Sequence, residues 1–258
     1  MKILAVGNSF SDDTMEYVYR IARSAGEGEL SLGNLYIGGC SLETHAANAR
    51  ANAAAYEYRT DDAGEWHTQP QFRLGDALSA QEWDVISLQQ ASPLSGQPQS
   101  YEPFLSELIA YVRARAPQAK LVWNMTWAYQ ADFVSETFAP YGYNQQRMYE
   151  NILAAVKEKV LPHPEFSAAV PCGTAVQNAR SSFLGDALTR DGFHLSYGVG
   201  RYIAGLTFAK TVLGVSPERV SFVPAGVDEA ERAVAVESAK NACAQPFAVT
   251  PSVYRERP

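Results

Sequence analysis

Short apolar runs alternate with amphipathic segments along most of the chain. The runs are rich in aliphatic and β-branched residues and have the length of buried strands; they lie at 2–6, 30–37, 85–88, 119–125 and 168–170. Apolar residues at helical spacing predict helices at 11–24, 42–55, 101–115, 144–160 and 196–213. Strands that alternate with helices usually pair in parallel through right-handed crossovers. The pattern therefore predicts an α/β fold, a three-layer α/β/α sandwich with a central parallel sheet.

One segment, 56–68, does not follow this alternation. Aromatic and β-branched residues flank an acidic turn that contains a glycine, at 61–64, and this arrangement is typical of a β-hairpin. No linker or internal repeat interrupts the 258 residues. We therefore expect a single domain over 1–258 that carries a small β-hairpin insertion at 56–68 and a C-terminal helix and tail at 228–258.

The composition excludes several classes of function. With 47% hydrophobic residues, the chain can bury a sizeable core. It has 28 acidic and 21 basic residues and a formal net charge of −7. Phosphate backbones select basic surfaces, so we expect no nucleic-acid partner, and a strongly anionic substrate is also disfavoured. We expect no membrane partner either, and the oligomeric state stays open.

Cysteine usage and the amino terminus add two further expectations. Cys40, Cys172 and Cys243 are odd in number and widely spaced, which indicates neither a disulfide framework nor a zinc site. We therefore expect buried thiols, and no metal or cofactor. No charged segment followed by an apolar one precedes Ser9. As given, the chain is expected to be cytoplasmic, or exported if a signal peptide has been removed from it.

Candidate chemistry lies at the two ends of the sequence. Ser9 directly follows the first apolar run, and Asp191-Gly-Phe-His194 lies far downstream. A serine hydroxyl is a poor nucleophile at neutral pH unless an imidazole accepts its proton and a carboxylate orients that imidazole. Taken singly, both segments are typical of turns, because glycine, asparagine and serine suit a strand-to-helix connection and Asp-Gly favours a turn. Taken together, they favour Ser9, His194 and Asp191 as a catalytic set.

A resemblance to a known superfamily rests on four short blocks. In order they read Gly7-Asn8-Ser9-Phe10-Ser11, Leu88-Gln89-Gln90-Ala91-Ser92, Thr126-Trp127 and Asp191-Gly192-Phe193-His194-Leu195-Ser196. The first and last, together with Gly38-Gly39-Cys40-Ser41, resemble blocks of the SGNH/GDSL hydrolases. The whole set is similar to a branch of that superfamily that is catalogued mainly as a domain of unknown function. The resemblance spans most of the chain and implies an SGNH-hydrolase-like, flavodoxin-like fold.

The resemblance also implies roles for particular residues. Ser9 would be the nucleophile, His194 the base and Asp191 its partner, and the oxyanion hole would use the N–H groups of Ser9 and Gly39. The parent superfamily adds an asparagine amide, and Gln89 carries the same amide on a longer stem. We therefore expect Gln89 to complete the hole in preference to Gln90. The alternative is that both glutamines are solvated loop residues. Asn8 replaces the aspartate that names the superfamily motif, which is not its catalytic acid.

Several other polar and aromatic residues are candidates for substrate binding. In an open parallel sheet, ligands bind beyond the carboxyl ends of the strands, so residues that follow different strands can share one rim. The candidates are Asn8, His45, Gln90, Ser92, Thr126 and Trp127. For His45 the alternative is a histidine on a helix surface, and for Trp127 it is a place in the core.

The function that the resemblance implies is that of a serine esterase. It would remove an acetyl or other small acyl group from a small-molecule or carbohydrate ester, as a carbohydrate deacetylase does, through an acyl-serine intermediate. The alternative is a non-catalytic protein that binds a sugar or acyl ligand on the same scaffold, and the departures at Asn8 and Gln89 leave it open. Hydrolysis of a phosphodiester or a thioester is a lesser alternative.

Overall fold

A computed structural model describes residues 1–257 of the chain. It contains seven strands: β1 (Lys2–Gly7), β2 (Ser31–Tyr36), β3 (Tyr56–Asp61), β4 (His67–Phe72), β5 (Val85–Leu88), β6 (Lys120–Asn124) and β7 (Phe166–Val170). They form one sheet in the order β4-β3-β2-β1-β5-β6-β7. The pairs β1–β2, β1–β5, β5–β6 and β6–β7 are parallel, as the alternating pattern predicts.

The hairpin at 56–72 belongs to this central sheet. β3 pairs antiparallel with β2 and with β4, so the sheet is mixed at one edge. Tyr56 and Tyr58 of β3 are buried against the core, whereas β4 is almost wholly exposed at the edge. The predicted insertion at 56–68 is therefore four residues too short, and it extends the sheet because β3 buries aromatic side chains on it.

Helices cover both faces of the sheet. They are α1 (Ser9–Met15), α2 (Val18–Ser24), α3 (Leu42–Ala51), α4 (Leu74–Ser79), α5 (Phe104–Arg113), α6 (Gln145–Ala155), α7 (Cys172–Arg180), α8 (Val199–Leu213) and α9 (Glu229–Ala244). α1, α2, α7 and α9 each pack on α8, and α3 packs on α4 and α5. The predicted three-layer α/β/α sandwich is confirmed. Within residues 1–257, no helix has both the length and the apolar character needed to cross a membrane.

The first helical segment begins earlier than its pattern predicts. We expected a helix over 11–24, but α1 begins at Ser9 because the Asn8 side chain accepts a hydrogen bond from the N–H of Phe10 and caps the helix. The helix is interrupted before α2 by Glu16 and Tyr17. Ser9 is thus the first residue of a helix that directly follows β1.

Strand register brings the ends of three strands to one place. Val6 of β1 pairs with Leu88 of β5, and Gly7 pairs with Tyr36 of β2. The segments that follow these strands therefore leave the sheet side by side. This is the carboxyl edge of the parallel strands, where α/β proteins bind ligands.

Candidate active site

Ser9, His194 and Asp191 form a continuous hydrogen-bonded chain at this edge. Nε2 of His194 lies 2.8 Å from Oγ of Ser9, and Nδ1 of His194 lies 2.6 Å from Oδ2 of Asp191. A carboxylate at Nδ1 favours the tautomer with hydrogen there, which leaves Nε2 free to accept the serine hydrogen. The arrangement meets the geometric requirements for an activated serine.

The loop that carries Asp191 and His194 folds around the carboxylate itself. Oδ1 of Asp191 accepts the N–H groups of Phe193 and His194, at 3.3 and 2.8 Å. Gly192, which directly follows Asp191, has φ of +92°, and a Cβ there would lie 2.3 Å from the Phe133 ring. Glycine is required at this position by both conformation and space.

These contacts also keep Asp191 ionised. Burial opposes its ionisation, but hydrogen bonds from the His194 ring and from the N–H groups of His194 and Phe193 outweigh burial and lower the pKa of Asp191 below 3.8. Because the folded-state pKa is lowered, the carboxylate favours folding above about pH 4, and this contribution is lost as the pH falls through the folded value.

We expect a carbon-13 NMR titration of the Asp191 carboxyl group to give a midpoint below the ordinary value of 3.8. In the His194→Ala variant the midpoint should rise, because the side-chain hydrogen bond is lost while the two backbone bonds remain. An unshifted midpoint in the wild-type protein would contradict the geometry of the pair.

A buried carboxylate on α1 anchors this loop. Oδ2 of Asp13 accepts the N–H of Leu195 at 2.8 Å, and its Oδ1 accepts hydrogen bonds from Arg190 at 2.9 Å and Arg201 at 2.8 Å. The Asp13 side chain is completely buried. Since α1 also carries Ser9, Asp13 ties the nucleophile to the loop that holds its base.

Ser9 and His194 line a cavity of about 520 Å³. Aromatic rings of Tyr129, Phe133 and Phe193 pack edge to face or tilted on one another along it, with centroids 5.3 to 5.7 Å apart. Its other lining residues are mainly polar or small: Asn8, Ser9, Asp12, Tyr36, Gly38, Gly39, Ser92, Pro93, Ser135, Thr137, Arg190 and His194. The cavity thus combines aromatic faces with hydrogen-bonding groups.

The backbone N–H groups of Ser9, the first residue of α1, and of Gly39 have no hydrogen-bond partner within residues 1–257. Gly39 has φ of +66° in the turn closed by the N–H of Cys40 and the carbonyl of Ile37, at 3.2 Å. Both Ser9 and Gly39 line the cavity, so the expected positions of these two donors fit the geometry.

The expected role of Gln89 does not fit. Its amide nitrogen donates to Oδ1 of Asn8 at 2.9 Å, its oxygen accepts from Asn124 at 3.1 Å, and the buried side chain does not line the cavity. Asn8 in turn donates to the carbonyl of Cys40 at 3.0 Å. Asn8, Gln89 and Asn124 thus form a row of hydrogen-bonded side-chain amides, the amide ladder. Gln89 is buried in this row, so the alternative of a solvated loop residue is also wrong.

Gln90 and His45 are structural as well. Oε1 of Gln90 accepts the N–H groups of Leu42 and Ala91, and its amide nitrogen donates to Ser100. His45 is fully buried, with Nδ1 3.0 Å from the hydroxyl of Tyr56, and burial lowers its pKa to about 4. Neither residue lines the cavity, and His45 is not on a helix surface.

Trp127 and Thr126 lie behind the site. The indole N–H of Trp127 donates to the carbonyl of Phe193 at 2.8 Å, and its ring stacks on Phe10 at 4.3 Å. Thr126 is buried and does not line the cavity. Trp127 therefore supports the histidine loop from the core, and only Asn8 and Ser92 of the six expected substrate-binding residues reach the cavity.

Comparison with known proteins establishes the family. A family model described as a domain of unknown function, DUF4886, matches residues 2–242. The chain belongs to the DUF4886 family. A solved structure of a DUF4886 family protein from Bacteroides uniformis is 39% identical, covers 99% of each chain and gives a TM-score of 0.95. No curated protein matches the sequence.

More distant structures resemble the DUF4886 chain in fold alone. A protein from Parabacteroides merdae, described as a GDSL-like lipase, has a TM-score of 0.53 at 14% identity over 81% of this chain and 94% of that one. TesA has a TM-score of 0.50 at 11% identity over 83% and 99%. The expected branch of unknown function is confirmed, and its fold is similar to that of a GDSL-like lipase.

Sequence reasoning missed two residues of the DUF4886 site. Asp13 looks like a surface residue beside Asp12. Arg190 directly precedes Asp191, which indicates a charged loop but does not indicate that Arg190 binds Asp13. Within residues 1–257, no three or more His, Cys, Asp or Glu side chains are grouped so as to hold a metal ion.

Proposed function

We propose that the protein is a serine esterase that hydrolyses a carboxylic ester through an acyl-Ser9 intermediate. The observation that carries the proposal is the chain from Asp191 through His194 to Ser9, with links of 2.6 and 2.8 Å, at the wall of a cavity. A serine in this arrangement is prepared for attack on a carbonyl carbon.

The reaction follows from these contacts. His194 accepts the proton of Ser9 as Oγ bonds to the ester carbonyl carbon, and Asp191 stabilises the imidazolium that forms. The N–H groups of Ser9 and Gly39 donate to the resulting oxyanion. When the tetrahedral intermediate collapses, His194 gives its proton to the leaving alcohol. Water then attacks acyl-Ser9 with His194 again as base, releasing the acid and regenerating the serine.

We further propose an acetyl or other small acyl ester of a carbohydrate as the substrate. Aromatic rings offer faces on which a sugar can pack, and Asp12, Tyr36 and Arg190 provide hydrogen-bonding groups in the same cavity. The departures at Asn8 and Gln89 left a binding-only function open; the amide ladder gives both residues a structural role, so they no longer favour that alternative.

We expect a serine-directed fluorophosphonate to label Ser9 alone. Ser11, two residues away, is buried, and its hydroxyl lies 2.7 Å from the carbonyl oxygen of Asn8 and 2.9 Å from Oδ1 of Asn34, so it has no path to the reagent. Mass spectrometry of the labelled peptide distinguishes the two serines.

The matched control is Ser9→Ala, which should take up no label and show no turnover of 4-nitrophenyl acetate. Screening acetylated sugars and longer-chain aryl esters with the wild-type protein then tests the proposed substrate class. A label on Ser11, or turnover that survives in Ser9→Ala, would exclude the proposed nucleophile.

A further inference from the structure

The proposed oxyanion hole has backbone donors on two sides but no side-chain donor. Ser9 and Gly39 supply N–H groups, and the amide of Gln89 is held by Asn8 beneath the site. A tetrahedral oxyanion accepts up to three hydrogen bonds, so a further donor in the cavity would contribute directly to its stabilisation.

Strand register brings the segments that carry Ser9 and Ser92 to the same end of the sheet, where both residues line the cavity. Val6 pairs with Leu88 across β1 and β5, Ser9 lies three residues beyond Val6, and Ser92 lies four residues beyond Leu88. Gln89 and Gln90 turn inward to bonds within the protein. Ser92 is therefore the first residue after β5 whose side chain combines a place on the cavity wall with a polar hydrogen.

The buried hydroxyl of Tyr129 determines which way the Ser92 hydrogen points. Oγ of Ser92 lies 2.9 Å from the hydroxyl of Tyr129. The Tyr129 side chain is buried, and Oγ of Ser92 is the acceptor that lies within hydrogen-bond distance of its hydroxyl.

Tyr129 is therefore the donor to Ser92, because a buried hydroxyl hydrogen without an acceptor is costly. Burial raises the pKa of Tyr129, so its phenol keeps the hydrogen that it donates. Ser92 lines the cavity, and its own hydrogen is then free for a group in the cavity.

We propose that the Ser92 hydroxyl is the third oxyanion donor, held in position by the hydrogen bond from Tyr129. Ser92 would touch the reacting oxygen, whereas Tyr129 acts through Ser92 as a positioning residue. The proposal rests on the esterase function above and replaces the amide donor expected at Gln89. It explains why a hydroxyl rather than an amide faces the cavity after β5.

The test is steady-state kinetics with 4-nitrophenyl acetate on matched variants. Ser92→Ala should lower kcat by about 10²-fold with little change in KM, because the bond forms mainly in the transition state. Tyr129→Phe should lower kcat by roughly tenfold, since it loses one neutral hydrogen bond that fixes the donor. The fluorophosphonate should label Ser9 of Ser92→Ala correspondingly more slowly.

Ser95→Ala is the control. Ser95 is a buried serine three residues from Ser92 that donates to the carbonyl of Ser92 at 2.8 Å and does not line the cavity, so kcat should stay within about threefold of wild type. Melting temperatures of all variants establish that they are folded. A kcat for Ser92→Ala within threefold of wild type, or a loss confined to KM, would overturn the proposal. A wild-type protein that neither turns over esters nor takes label would overturn the esterase function and this inference together.

Discussion

Replacing His194 with alanine should abolish nearly all ester turnover, with kcat falling by about 10⁵-fold or more. Nε2 of His194 is 2.8 Å from Oγ of Ser9, and the remaining serine would have no base to accept its proton. Asp191→Asn should leave a measurable residue of activity, at roughly 10⁴-fold below wild type, because the ring is kept but its favoured tautomer is lost. Single-turnover and steady-state rates with 4-nitrophenyl acetate measure both effects.

His163→Ala provides the matched control. His163 lies outside the cavity, with Nε2 3.4 Å from Oε1 of Glu102 and 3.5 Å from the hydroxyl of Ser106. Its loss should leave kcat unchanged within experimental error. Wild-type rates for His194→Ala, in a protein whose circular dichroism is unaltered, would rule out the proton relay.

The second large effect concerns Asp13. Asp13→Asn should lower the free energy of unfolding by about 3 kcal/mol, because it removes the charge that offsets two partly buried guanidinium groups, Arg190 and Arg201. It should also lower kcat by about 10²-fold at a temperature where the variant is folded, since the loop that carries His194 loses its anchor to α1. Denaturant unfolding and ester kinetics measure the two losses separately.

Asp76, an exposed aspartate that also pairs with an arginine, is the control that distinguishes the effect of burial from the effect of losing a charge. Asp76 pairs with Arg73 at 3.5 Å on the surface, with side chains 58% and 47% exposed. Asp76→Asn should therefore change the free energy of unfolding by less than about 1 kcal/mol and leave kcat unchanged. If Asp13→Asn retained wild-type kcat and stability, the anchoring role of Asp13 would be excluded.

Much of the fold could be predicted because most of its strands are short apolar runs, which are recognisable in the sequence without knowledge of their pairing. The break between α1 and α2 was not visible, since apolar residues keep helical spacing across it. α4 and α7 were missed because α4 has only six residues and α7, Cys172–Arg180, is made largely of small and polar residues. The hairpin was visible from its turn, but its pairing with β2 depends on a distant strand.

The catalytic set could be predicted because its geometry is local. Ser9 follows a strand directly, and Asp191 and His194 are three residues apart in one loop. Gln89 could not be placed in the same way, because the direction of its amide depends on Asn8 and on Asn124, which lie on two other strand ends. Asp13 depends on partners more than 170 residues away, and a local pattern contains no trace of such a contact.

The bond between Asn8 and Gln89 makes the two departures from the SGNH pattern a single coupled change. Oδ1 of Asn8 accepts the Gln89 amide, and Nδ2 of Asn8 donates to the Cys40 carbonyl at 3.0 Å. An aspartate at position 8 would set a carboxylate oxygen against that carbonyl oxygen, and no hydrogen would lie between them. The asparagine here is therefore required by its neighbours, and an aspartate in its place would also disturb the turn that carries Gly39.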